Sequence, residues 1–73
     1  MGRLSGFSYL QVAKKMKKLG FQFYRSAKGD HEIWFNADTK QKTVIPHHRE
    51  LKEGTLRNIL KQASIDIDQF LNS

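Results

Sequence analysis

The chain has 73 residues, no cysteine, and 13 lysines and arginines against seven acidic residues, for a formal net charge of +6. A chain of this size buries only roughly 60% of the surface its unfolded form exposes, so residues 1–73 read as a single domain with one modest core. The missing cysteines exclude disulfides, thiolate zinc sites and a thiol nucleophile.

No apolar run reaches the ~20 residues a membrane helix needs. The opening MGRLSGFSYL has neither the apolar segment nor the cleavage site of a secretory signal, so a soluble, cytoplasmic protein with no membrane contact is expected. The charge is uneven. Up to Lys28 there are seven basic residues and no acidic one, whereas the remainder carries six basic and seven acidic residues. A cationic half of this kind suits a polyanion, because clustered positive charge neutralises phosphates and releases their counterions.

Ser8 and Gln11 stand in capping-box spacing and open a first helix, which Gly20 is placed to end. Tyr9, Val12, Ala13, Met16 and Leu19 fall within an arc of roughly 120° at about 100° per residue, opposite Lys14, Lys15, Lys17 and Lys18. One face is core and the other a lysine face, although lysines near a helix C-terminus also suit the macrodipole.

Phe21 to Ala27 and His31 to Asn36 are rich in aromatic and branched residues and flank Lys28-Gly29-Asp30, the pattern of a hairpin with Gly29 free to take a positive φ. Thr43 to Ile45 reads as a third strand after the polar turn ADTKQ, and Pro46 ends it. A register with Ala27 facing His31 sets Phe23 opposite Phe35, Tyr24 opposite Trp34 and Arg25 opposite Ile33. His31, Ile33 and Phe35 then share the side expected to receive the helices, leaving Tyr24 and Trp34 on the other; a bulge at Gly29 would invert this.

Beyond Pro46 the pattern turns helical. Leu56, Ile59, Leu60 and Ala63 share one face with Thr55 as a candidate cap, and Asp66 with Gln69, and Ile65 with Phe70, mark a short last helix. The order is α-β-β-β-α with a terminal helical turn: an α+β two-layer sandwich with a three-stranded antiparallel sheet and its helices on one face.

Candidate chemistry centres on the histidines. His47 and His48 are adjacent and point to opposite sides of an extended segment, with no metal-binding pattern around them, so no metal site is expected. No serine sits in a nucleophile elbow. RNA cleavage makes smaller demands, because the ribose 2′-hydroxyl is itself the nucleophile and the protein need only move protons and stabilise charge on the phosphate. His31, with Lys28 beside it and Arg25 diagonal to it, supplies the residue types for that task. The alternative is that His31 is a hydrogen-bonding turn residue, that Asp30 caps the turn, and that Tyr24 and Trp34 are core or partner contacts.

Four segments in order carry a resemblance. Leu19-Gly20-Phe21, Gly29-Asp30-His31 leading into Ile33-Trp34, Val44-Ile45-Pro46-His47-His48, and the run Leu51 to Ala63 together resemble the HicA toxin family. The resemblance implies a fold similar to the double-stranded RNA-binding domain and cleavage of mRNA without a metal or any other cofactor. The histidine of the family's Gly-x-His motif, His31 here, would be catalytic. The Pro-x-His pattern falls on Pro46 and His48, making His48 structural first and a secondary catalytic candidate. A HicB-type antitoxin is the implied protein partner. Ser64 stands where the last run often has glycine, and Asp30 where serine or glycine is frequent.

On this reading Lys28, Gly29, Arg25, Lys14, Lys18 and Lys42 are the candidate RNA contacts. Two rivals remain: a non-catalytic RNA-binding module, in which the lysines matter and His31 does not, and a domain that only binds an acidic protein.

Overall fold

The computed structural model describes residues 3–73. In chain order the elements are β1 (Phe7–Ser8), α1 (Tyr9–Lys18), β2 (Phe21–Ser26), β3 (His31–Asn36), β4 (Gln41–Pro46), β5 (Glu50–Leu51), α2 (Glu53–Ala63) and α3 (Ile67–Leu71). The strands β2, β3 and β4 form an antiparallel sheet with β3 in the centre, and the helices pack on one of its faces, giving the expected α+β layering.

The start of α1 follows from its sequence. The Ser8 hydroxyl accepts from the Gln11 N–H at 3.1 Å while Gln11 Oε1 accepts from the Ser8 N–H at 2.9 Å, which satisfies two backbone donors that the first helical turn leaves free. Val12, Ala13 and Met16 are buried as the periodicity predicts. The helix ends at Gly20, whose φ is +94° and where a Cβ would come within 3.0 Å of Asn36 Nδ2. That amide donates to the Leu19 carbonyl at 3.3 Å, tying the helix end to the end of β3.

The faces of the sheet are the reverse of the expectation. Trp34 is 1% exposed and packs into the core with Phe21, Ile45, Leu56, Ile59 and Phe70, while His31 is exposed and Ile33 and Phe35 are half-buried on the open side. The physical reason is size and satisfaction together. The indole is the largest apolar group in β3, and Glu32 on the same side accepts from its Nε1 at 3.1 Å, so Trp34 can be buried with no polar cost.

The register also differs from the expectation. Phe23 lies opposite Trp34 and Gln22 opposite Phe35, because the chain bulges between Phe23 and Arg25, not at Gly29; Arg25 still faces Ile33. The bulge frees Tyr24 from the ladder and places its ring on the open face, 6.0 Å from that of Phe35.

At the other edge, α2 fastens to β4 through polar groups. The Thr43 hydroxyl lies 2.9 Å from the Ile59 carbonyl, and Gln62 Oε1 accepts from the Val44 N–H at 3.2 Å, closing a donor that an edge strand would otherwise leave open. The helix starts two residues before the expected Thr55 cap: Lys52 occupies the N-cap position without a side-chain bond. One element escaped the sequence reading altogether. Phe7 pairs with Leu51 and Ser8 with Glu50 in a separate two-stranded ribbon, which clasps the start of α1 to the approach to α2.

Ser64 ends α2 in the left-handed conformation, φ +59° and ψ 38°, with the Ile65 N–H donating back to the Leu60 carbonyl at 2.9 Å. This is the backbone that favours glycine after a helix. Ser64→Gly is therefore expected to stabilise the fold by roughly 1 kcal/mol, since a left-handed non-glycine residue costs about 1–2 kcal/mol and glycine's own entropy offsets part of the gain. A melting point raised by about 4–8 °C would register it.

Candidate active site

His31 is the first residue of β3, and its main chain is held from both sides. The Ala27 N–H donates to the His31 carbonyl at 2.7 Å, the His31 N–H reaches the Lys28 carbonyl at 3.4 Å, and Pro46 is its cross-strand neighbour. The turn that delivers it needs Gly29, whose φ of +68° is what a tight mirror-type hairpin turn requires. The backbone is thus fixed while the imidazole stays exposed.

That imidazole lines a cleft of about 350 Å³ together with Pro46, His48, Glu50, Leu51, Lys52 and Thr55. The cleft joins the end of the main sheet to the start of α2, and Glu50 and Leu51 of the β1–β5 ribbon form part of its wall. It brings one ammonium, one hydroxyl, two imidazoles and the Glu50 carboxylate to a common opening, a set able to move protons, with Lys52 as the cation able to stabilise negative charge. A larger hollow of about 430 Å³ between Lys17 and Phe23 offers Lys17 as its one charged side chain and no acid–base pair.

Asp30 binds the second histidine segment to the hairpin turn. Its carbonyl accepts from the His47 N–H at 2.8 Å, and its carboxylate Oδ2 lies 3.8 Å from His48 Nε2, both side chains well exposed. His47 turns the other way. It stacks on Tyr9 with ring centroids 4.1 Å apart, and its Nδ1 lies 3.4 Å from Glu32 Oε2.

Glu32 is the hub of the far side of β3. Its carboxylate, only 15% exposed, accepts from the Tyr9 hydroxyl at 2.5 Å and from Trp34 Nε1 at 3.1 Å, in addition to facing His47. Burial, then the hydrogen bond to Glu32 and the charge of that carboxylate, raise the Tyr9 phenol from 10.0 to about 12. Tyr9 therefore remains a donor throughout the neutral range, and the Glu32 cluster ties α1, β3 and the segment after β4 behind the cleft.

The candidate RNA contacts divide by location. Lys28 and Gly29 lie in the turn leading to His31, and Arg25 and Lys42 on the open face of the sheet, where Arg25 faces Ile33 and Lys42 faces Phe35. Lys14 and Lys18 stand on the exposed side of α1, in the helical layer. Lys52, Glu50 and Thr55 were missed in the sequence. Their position depends on the β1–β5 pairing, which two-residue strands give no pattern to detect; the one available sign was the polar stretch between Pro46 and the helical run. Among the described residues no three His, Asp or Glu side chains converge as a metal site, and no helix is long and apolar enough to cross a membrane.

Comparison with known proteins places this geometry in a family. No curated protein matches the chain. Residues 10–65 match the family model described as HicA toxin of bacterial toxin-antitoxin, a span running from α1 past the end of α2 and enclosing the hairpin turn, His31, His48 and the α2 wall of the cleft. With 56 of 73 positions inside the match, the chain belongs to the HicA toxin family of bacterial toxin–antitoxin systems.

Proposed function

We propose that this toxin is a metal-independent endoribonuclease acting on mRNA, with His31 as its catalytic residue. The observation that carries the reading is the exposed His31 imidazole, fixed at the start of β3 and opening on a cleft shared with Lys52, Thr55 and His48. In the reaction the 2′-oxygen of the substrate attacks the adjacent phosphorus, the P–O5′ bond breaks, and a 2′,3′-cyclic phosphate and a 5′-hydroxyl result. One proton leaves the 2′-hydroxyl and one reaches the departing 5′ oxygen. His31 carries out one of these transfers, with His48 the secondary candidate for the other, while Lys52 and Lys28 stabilise the charge that builds on the phosphate. The nucleophile belongs to the substrate, so the site needs neither an activated serine nor a metal-bound water.

Lys28, Gly29, Arg25 and Lys42 hold the strand near the cleft, and Lys14 and Lys18 extend the positive field over the helical layer. The protein partner is a HicB-type antitoxin that covers the cleft, with an acidic surface complementary to the basic half of the chain.

The chemistry is tested by the ends it leaves. Incubation with end-labelled RNA is expected to give 5′-hydroxyl and 2′,3′-cyclic phosphate or 3′-phosphate ends, and a single 2′-deoxyribose at the scissile position is expected to block that cut. Products bearing 5′-phosphate and 3′-hydroxyl ends would overturn the mechanism.

A further inference from the structure

The open face of the sheet is built unlike an ordinary solvated surface. Tyr24, Arg25, Ile33, Phe35, Lys42 and Val44 share it, with Tyr24 57% and Val44 39% exposed. Two aromatic rings thus lie on the sheet, 6.0 Å apart and tilted by 49°. The Lys42 ammonium stands 5.7 Å from the centroid of Tyr24 and 6.0 Å from that of Phe35. Contiguous exposed apolar surface of this kind marks an interaction site.

The occupant follows from charge and from continuity with the cleft. Glu32 is the one acidic residue in the three strands of the sheet, and its carboxylate bonds Tyr9 and Trp34 on the helix side, so the strand residues of the open face supply cations and no carboxylate. His31 lies on this same face of β3, two and four residues before Ile33 and Phe35, which places the rings roughly 13 Å from it along the strand at about 3.3 Å per residue. A polyanion whose phosphate sits at His31 would carry its next few units across the rings. At the far end, Gln22 and Ala37 join Tyr24, Phe35 and Phe23 around a hollow of about 110 Å³, and the Gln22 amide offers both a donor and an acceptor.

We infer that this face is a stacking platform for the unpaired nucleobases that flank the cleaved bond, with Tyr24 and Phe35 as the stacking rings and Lys42 as the cation that pairs with the backbone between them. The inference rests on the proposed ribonuclease reading. Base-on-aromatic stacking beside basic residues holds single strands with little sequence preference. It also requires the substrate to be single-stranded where it crosses the sheet, because paired bases present no free ring faces. A double-stranded substrate read by A-form shape would have no use for these rings.

The experiment compares binding of a short labelled oligouridylate and of an abasic ribose-phosphate oligomer of the same length, using His31→Gln protein so that neither is cut. Adding Tyr24→Ala to that protein is expected to weaken oligouridylate binding roughly 5- to 150-fold while leaving the abasic oligomer nearly unchanged, with Tyr24→Phe retaining the affinity. Tyr24 is exposed, so a circular dichroism spectrum matching the parent is expected of each variant. Unchanged oligouridylate binding would overturn the stacking role and leave the face to a protein partner, and an equal loss on both oligomers would overturn it in favour of a charge effect. Failure of the His31→Gln parent to bind either oligomer would instead overturn the ribonuclease reading on which the platform depends.

Discussion

Replacing Trp34 by alanine is expected to unfold the protein or lower its melting point by roughly 15 °C or more. The side chain is 1% exposed and belongs to the core cluster that strands and helices share, and truncating a buried tryptophan costs about 3–5 kcal/mol in transfer and cavity terms. A domain of this length has a total stability of roughly 4–11 kcal/mol at typical per-residue values. The loss therefore takes a large part of the whole, and it also deprives Glu32 of one of its hydrogen-bond donors. Thermal melting followed by circular dichroism measures it, at about 4–8 °C per kcal/mol in a domain this small. A nearly native melting curve would contradict the placement of Trp34 in the core and return it to the open face.

His31→Gln is expected to behave in the opposite way. The imidazole is exposed, and His31 bonds to Ala27 and Lys28 through its main chain, which glutamine reproduces. Melting should stay within about 0.5 kcal/mol of wild type, the usual range for surface substitutions away from special features. RNA cleavage should fall by about 10²–10⁴-fold, because glutamine can hydrogen-bond but cannot exchange a proton near neutral pH. RNA affinity should hold, since the cations around the cleft are untouched. A variant that loses stability and cleavage in parallel would assign His31 a structural role.

How much of this was legible in the sequence depended on whether the cause was local. The Ser8–Gln11 capping box, the apolar face of α1, the hairpin glycine and the apolar stripe of α2 all act within a few residues, and each appears where the pattern put it. The facing of β3 was not legible, because alternating apolar residues occupy both sides of HEIWF and a period of two cannot tell the sides apart. What decided it was the burial of the indole and its partnership with Glu32, a link completed by Tyr9 and His47 from distant parts of the chain.

The candidate site divides along the same line. His31 could be singled out because its setting is the hairpin turn in which it sits. Lys52 and Thr55 line the cleft beside Glu50 and Leu51, which pair with Ser8 and Phe7, a contact between segments more than forty residues apart. The open face was expected to hold Tyr24 with Trp34, and it holds Tyr24 with Phe35 instead, so its aromatic character survived although one of its rings changed.

The central claim is that a histidine, with no metal, cuts RNA at the start of β3. Cleavage of a labelled single-stranded RNA in EDTA, wild type beside His31→Gln, tests it most directly. Wild type is expected to give products that accumulate equally with and without the chelator, and the variant to lose at least a hundredfold. Equal cleavage by both proteins, or cleavage by wild type that stops when EDTA is added, would contradict it.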